Sequence, residues 1–368
     1  MEGVGDVYAL RVIAAVAGGF LVVVVLWEAF ETVILPRRIS RRLRFTPVAY
    51  RTMWRIWSAI GRDHPGMRRE DYLSVFAPLS LLLLLALWVG GVILGVGLLQ
   101  WGVDAPLLGR GNTTSLATHI YLSATTFVTL GLGDIAPASS LGRALTAIEA
   151  VFGFGFLALT ISYLPVLYQS FSRREVTISM LDEWAGSPPS AVELLRRAAA
   201  NEGLGSVEGL LADWERWSAE LLESHISYPF LAYFRSQHDR QSWLAAITAI
   251  LDVSAIVLAG VDGLGTWQAR RTFAISRHAV VDLAEVFGTA PEGDADPRGA
   301  TDEMRRTLDV AGVRLAPHAI EHFDAFRRMY EPYVDAIGRR FEMALPPLIS
   351  GEPGRLDDWE STAFDVSE

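Results

Sequence analysis

Thr129-Leu130-Gly131-Leu132-Gly133-Asp134 is the stretch of this chain best suited to chemistry, and that chemistry is ion coordination. Alternate glycines let the backbone take positive φ. Successive carbonyls can then all point to one side, towards a common axis. The threonine adds a hydroxyl ligand at one end. A ring of such strands replaces the water shell of a dehydrated monovalent cation. Asp134 adds negative charge at the mouth. Taken alone, G-x-G-D is equally a Gly-rich turn, so its surroundings decide its meaning.

A second pattern, His318-x-x-Glu321-His322, matches the H-x-x-E-H arrangement of zinc peptidases. Two His at i and i+4 on a helix can share a metal. Five residues with no downstream pattern also fit a solvated helix face. His225 and His238 read as packing or surface residues. The chain contains no Cys and all 32 of its basic residues are Arg. That excludes disulfides, Cys-based metal sites, a Lys Schiff base and a Walker phosphate loop.

The elements around 129–134 point to a membrane. Three stretches are long and apolar enough to span a bilayer, about Val12–Leu35, Leu73–Gln100 and Leu141–Tyr168. Between the last two, Asn112 to Ser115 offer helix caps. The apolar and Thr/Ser run that follows is too short to span, so it fits a half-helix that re-enters the membrane. Its C-terminal end carries partial negative charge, which favours a cation beyond it. Non-helical backbone at that depth must line a cavity or be buried.

Charge sets the expected orientation. Ten Arg lie between Pro36 and Asp71, against three acidic residues. Positive loops stay cytoplasmic. The N-terminus and the 101–140 connection are then outside, and the C-terminal half is in the cytoplasm of a cell, bacterial by its composition. Arg37, Arg38, Arg41, Arg42 and Arg44 suit anionic lipid head groups better than a voltage sensor, since they do not alternate with apolar residues. Glu28 and Glu31 are expected to pair with this cluster. Residues 1–172 hold 13 Arg against 10 acids, and residues 173–368 hold 19 against 32. The acidic half argues against nucleic-acid binding.

With its context, the motif resembles the pore module of tetrameric potassium channels, whose filter reads T-V-G-Y-G-D. The resemblance covers about Leu73 to Arg174. It takes in the outer helix, the pore helix with Ser123, Thr125 and Thr126, the filter, Pro137 and Gly142-Arg143. It implies a homotetramer in which Thr129, Leu130, Gly131, Leu132 and Gly133 coordinate potassium. Potassium is then the permeant ligand and no cofactor is expected. Leu132 replaces the usual aromatic, which bears on selectivity more than on conduction. Thr125 stands where many family members carry an acid behind the filter. Tyr121 either steadies Asp134 or packs the pore helix.

In the third span, Gly153, Gly155 and Pro165 offer hinge points for a gate, or small-residue packing sites. Glu149, an acid within the span, is expected to contact the pore helix rather than face the cavity.

From Ser172 the pattern is helical and soluble. Helices are expected at about 190–200, 206–224, 228–238, 241–261, 264–287, 301–312 and 317–343, with a capping box at Ser190 and Glu193. Trp243–Val261 reads as the buried centre of a bundle, because a span would place Asp252 in lipid.

The expected fold is all-α: three transmembrane helices, a re-entrant pore helix and an all-helical cytoplasmic domain. The divisions are an extra N-terminal span (1–36), a basic linker (37–71), the pore module (72–172), a helical domain (173–350) and an acidic disordered tail (351–368). The expected function is a tetrameric potassium-selective channel of the cell membrane, not an enzyme, gated through its inner helix and cytoplasmic domain. The alternatives are a weakly selective cation channel and a membrane-anchored zinc hydrolase using His318, Glu321 and His322.

Overall fold

The structure, a computed structural model, describes residues 2–33, 45–61, 67–109, 113–201, 203–238, 240–289, 291 and 301–349. Arg37, Arg38, Arg41, Arg42, Arg44 and the 351–368 tail lie outside the described residues. The chain divides into two compact units, Met1–Tyr168 and Gln169–Glu368. The protein is an all-helical membrane protein, with one two-stranded sheet of three-residue strands among the described residues.

The first unit contains α1 (Glu2–Val33), α2 (Phe45–Gly61), α3 (Met67–Ser74), α4 (Phe76–Gly102), α5 (Leu116–Phe127) and most of α6 (Ser140–Ala185). Strand β1 (Leu107–Gly109) precedes α5, and β2 (Ile135–Pro137) follows it. Helices α1, α4 and α6 are each apolar and long enough to cross a membrane. At 1.5 Å per residue α6 is about 69 Å long, so only part of it can lie in a hydrocarbon core about 30 Å thick.

Residues 37–71 are read from sequence as a basic linker, but they contain α2 and the first part of α3. The period-3.6 signal is present in Tyr50, Trp54, Trp57 and Gly61, and the surrounding Arg residues mask it. Trp54 and Phe76 meet edge to face at 4.9 Å, and Trp57 stacks on Tyr72 at 4.6 Å. The Trp57 indole donates to the Tyr72 carbonyl at 3.2 Å. Glu28 accepts from the Thr46 hydroxyl at 2.7 Å, and Glu31 accepts from Trp27 at 2.7 Å.

Helices α1 and α4 pack antiparallel at very close range. A Cβ on Gly18 would strike the Gly95 carbonyl; one on Gly95 would strike Val22; one on Gly102 would strike Arg11 and Ala15. Helix association in lipid depends on such close approach, because the tails are as apolar as leucine. Arg11 pairs with Asp104 and lies over the Trp101 ring, closing one end.

The second unit packs α7 (Ala191–Asn201), α8 (Ser206–Ser227), α10 (Thr266–Phe287), α12 (Ala319–Arg327) and α13 (Glu331–Phe341) around α9 (Trp243–Gly260). Helix α11 (Thr301–Val310) packs on α7. Helix α9 could cross a membrane by composition, yet it is buried within this unit. Its one acid is answered by protein: the Tyr330 hydroxyl donates to Asp252, and Arg327 lies 3.9 Å away.

Two expected helices change here. Residues 228–238 hold only a 3-10 turn at Pro229–Tyr233, and 317–343 divides into α12 and α13. Pro332 accounts for the division, since proline cannot donate the hydrogen bond that would carry α12 on into α13. The Ser190 box is half formed. Ser190 accepts from the Glu193 amide at 3.3 Å, while the Glu193 carboxylate turns to Arg196 and Arg197, each at 2.6 Å. Burial opposes ionisation of Glu193, but the two Arg outweigh it and hold its carboxyl below the ordinary value.

Arg174 is buried and anchors the 3-10 turn. It donates to the Leu231 carbonyl at 3.0 Å and to the Phe234 carbonyl at 2.8 Å. His225 Nε2 lies 3.4 Å from the Arg174 guanidinium, which has only donors. Nε2 must therefore accept, and Nδ1–H donates to the Leu221 carbonyl at 2.8 Å.

Gly95→Leu should lower the thermal stability of the full chain in detergent by about 1–3 kcal/mol. Gly90→Leu, where a Cβ meets open space, should not. Equal melting temperatures for the two variants would contradict the close α1–α4 seam.

Burial pushes the His225 pKa down to about 3, with the Arg174 charge acting the same way and the Leu221 hydrogen bond opposing. The unfolded chain binds a proton near pH 6.5 that the folded chain refuses. This contribution to stability is full above pH 6.5 and is lost as the pH falls towards 3. His225→Gln should flatten that loss by up to about 1.4 kcal/mol per pH unit, read from melting curves between about pH 7.5 and pH 5. Parallel pH profiles for the two proteins would contradict it.

Candidate ion-conduction site

The site begins at the N-terminus of α5. The Ser115 side chain accepts from the Thr118 amide at 3.1 Å and caps the helix. His119 is buried between the Ser115 and Ala105 carbonyls, at 2.9 and 3.0 Å from its two ring nitrogens. It ties α5 to the end of α4. The sequence reading does not single out His119; a lone imidazole among apolar, Thr and Ser residues is the signal it leaves.

At its other end α5 stops against a core of Val92, Val96 and Phe127. Val22, Val25 and Leu26 of α1, Val89 and Ile93 of α4, and Phe152 and Phe156 of α6 surround that core. The Thr125 carbonyl accepts the amides of both Leu130 and Gly131, at 2.8 and 3.1 Å. This turns the chain sharply out of the helix. Thr129, Gly131 and Gly133 then take φ of 57°, 52° and 75°. Every second residue is left-handed, which is the alternation that turns successive carbonyls to one side. Glycine makes this inexpensive at 131 and 133, whereas Thr129 adopts it with a branched side chain. The sequence reading expects positive φ only at the glycines.

The segment is exposed along its length within one chain, with Leu130 58% and Leu132 59% accessible. The Tyr121 hydroxyl donates to Asp134 at 3.0 Å, so Tyr121 takes the steadying position rather than a packing one. Beyond Asp134, Ile135–Pro137 pairs antiparallel with Leu107–Gly109, and Arg143 Nε donates to the Pro137 carbonyl at 3.3 Å. The short strands fix the course of the chain after Asp134; nothing in their composition distinguishes them from loop.

Behind α5, one hydroxyl joins three helices. Ser123 is fully buried and its Oγ lies 2.8 Å from the Ile93 carbonyl of α4. It also contacts the Glu149 carboxyl of α6. Glu149 is 1% exposed, so it faces the pore helix and not an open cavity. The acid behind this pore helix thus comes from α6. Thr125 donates its hydroxyl to the Leu122 carbonyl of its own helix at 3.0 Å. Gln100 of α4 donates to Thr146 of α6 at 3.4 Å, a second polar tie.

The three hinge candidates differ in setting. A Cβ on Gly153 would overlap the Phe127 carbonyl, whereas one on Gly155 meets nothing within 4 Å. Helix α6 continues through Gly153, Gly155 and Pro165 to Ala185. Gly153 is therefore a packing position against the end of the pore helix.

His318 is the N-cap of α12 rather than part of the helix. It and Glu321 are 74% and 79% exposed at the side chain, 3.6 Å apart. Among the described residues no three His, Asp or Glu side chains gather as metal ligands.

Residues 81–169 match the family described as "Ion channel". The match runs from α4 through α5 and the 129–134 segment into α6. A Bacillus subtilis (strain 168) protein named "Uncharacterized membrane protein YdjJ" is 26% identical over 203 residues. That alignment covers 54% of this chain and 57% of the relative, so the chain spans little more than half of the relative's length. No solved structure matches the chain. Residues 81–169 are thus similar to an ion-channel family, within an all-helical membrane protein.

The packing at Gly153 yields a direct test. Gly153→Ala should lower the thermal stability of the detergent-solubilised protein, and Gly155→Ala should leave it unchanged. If both variants melt alike, Gly153 has no special contact with Phe127.

Proposed function

We propose that this protein is a homotetrameric potassium-selective channel of the cell membrane that conducts potassium down its gradient. Thr129, Leu130, Gly131, Leu132 and Gly133 supply the coordinating groups, and Asp134 the charged outer mouth. The observation that carries this reading is the left-handed backbone at Thr129, Gly131 and Gly133, directly after a pore helix. That backbone lies inside the segment matched to an ion-channel family.

Each carbonyl then replaces one water of the ion's shell, so dehydration costs little on entry. One chain supplies only one strand of such a ring, which is why four are needed. Exposed apolar residues on α6, among them Val151, Phe154, Leu157 and Ile161, offer surface for neighbouring chains. The N-terminus lies outside and Gln169–Glu368 in the cytoplasm, in line with the Arg-rich 37–71 segment. The second unit is the regulatory part, acting on the pore through α6.

A weakly selective cation pore is the second reading, and Leu132 favours it. Its aliphatic side chain cannot donate the hydrogen bond of the tyrosine found in the resembling filters.

Purified protein in liposomes with a potassium gradient should give a barium-sensitive flux, with sodium carried at least about tenfold more slowly. Equal sodium and potassium flux would remove potassium selectivity. In that case Leu132→Tyr should restore discrimination, and no flux of either ion would end the channel reading.

A further inference from the structure

Helix α2 presents three different faces. Tyr50, Trp54, Ser58 and Gly61 are buried. The Trp54–Phe76 and Trp57–Tyr72 ring contacts fix this face against α3 and the start of α4. Thr46 is buried too, Ala49, Met53 and Trp57 are half-buried, and the other described side chains are exposed, Val48 beside the Arg pair among them. At about 100° per residue, Arg51 and Arg55 fall on one flank of the exposed surface. Ile56 and Ile60 fall on the other, roughly 140° round the helix from the Arg pair. Ile56 is 59% exposed and Ile60 52%. A helix packed on protein along one side and facing water elsewhere has no reason to display isoleucine there.

Position supplies a setting for the two isoleucines. Helix α2 is tied at its first turn to α1, through Thr46 and Glu28. Through Trp57 it is tied to the residues that lead into α4. Both α1 and α4 are membrane-crossing in length and composition. A helix held between the ends of two spans lies at the surface of the bilayer. An apolar flank and a basic flank on opposite sides are the pattern of a helix lying in the interface plane.

We infer that α2 is an anionic-lipid contact: Ile56 and Ile60 enter the acyl boundary, and Arg51 and Arg55 engage acidic phospholipid head groups. Charge complementarity favours acidic over zwitterionic lipid, since ten Arg lie between Pro36 and Asp71 against three acids. The aromatic stack makes the same helix a mechanical extension of α4, so lipid composition acts on the first unit through Trp54 and Trp57. The proposal needs the membrane location of the chain and not its ion selectivity.

The absence of cysteine makes the test clean. Single Ile56→Cys and Ile60→Cys variants of the full chain are placed in nanodiscs of phosphatidylcholine with phosphatidylglycerol. A water-soluble maleimide should label them at least about tenfold more slowly than Val310→Cys, whose valine is 92% exposed. In phosphatidylcholine alone labelling should speed up by about fivefold or more. Adding Arg51→Gln and Arg55→Gln should produce the same speed-up in the acidic discs. Labelling at 56 and 60 as fast as at 310 in acidic discs would overturn the proposal. So would rates that ignore the lipid in the unmutated-Arg background, a comparison that does not depend on the Arg variants folding. Flux is not read in this experiment, so a failed channel assay leaves it interpretable.

Discussion

The Thr125 carbonyl accepts two amides at once, from Leu130 and from Gly131. That bifurcated acceptor ends the pore helix and swings the chain into the extended, alternating backbone of 129–133. Backbone outside a helix is costly at membrane depth, because lipid offers no hydrogen bonds. The rest of the first unit holds this short segment in place. Phe127 anchors the chain before it, the β1–β2 pair holds the chain after it, and Tyr121 donates to Asp134.

The scaffold around it rests on close approach more than on apolar area. Burying leucine against leucine gains little in lipid, so helices need small residues or polar ties to prefer one another. Both are present. Glycines let α1 nest on α4, and Gly153 lets α6 touch the Phe127 carbonyl. Ser123 gathers α4, α5 and α6 at one hydroxyl, and Gln100 adds a second tie from α4 to α6. The extra helix α1 thereby belongs to the core around Phe127, through Val22, Val25 and Leu26.

The second unit solves a different problem, burying charge within its helical packing. Asp252 sits in the most apolar helix of the unit and is tolerated because Tyr330 and Arg327 meet it there. Arg174 is tolerated because two carbonyls and Glu175 surround its guanidinium. Such groups destabilise a fold when one partner is lost, and so specify a single arrangement of the helices that carry them.

The sequence by itself determined the membrane-crossing segments, the half-helix and the T-L-G-L-G-D segment, because hydropathy runs and glycine spacing are local signals that need no partner. It also marked Glu149 as answerable to the pore helix and Asp252 as a reason to keep α9 out of lipid. Only the tertiary structure decided the rest. Gly153 and Gly155 are chemically identical, and nothing but the Phe127 carbonyl beside one of them separates packing from freedom. Thr129 is left-handed because Thr125 holds the two residues after it, a constraint no propensity encodes. Helix α2 was hidden because its buried positions, Tyr50, Trp54, Ser58 and Gly61, are interleaved with exposed Arg and Ile, and such a pattern becomes legible once the aromatic neighbours of its buried face are known.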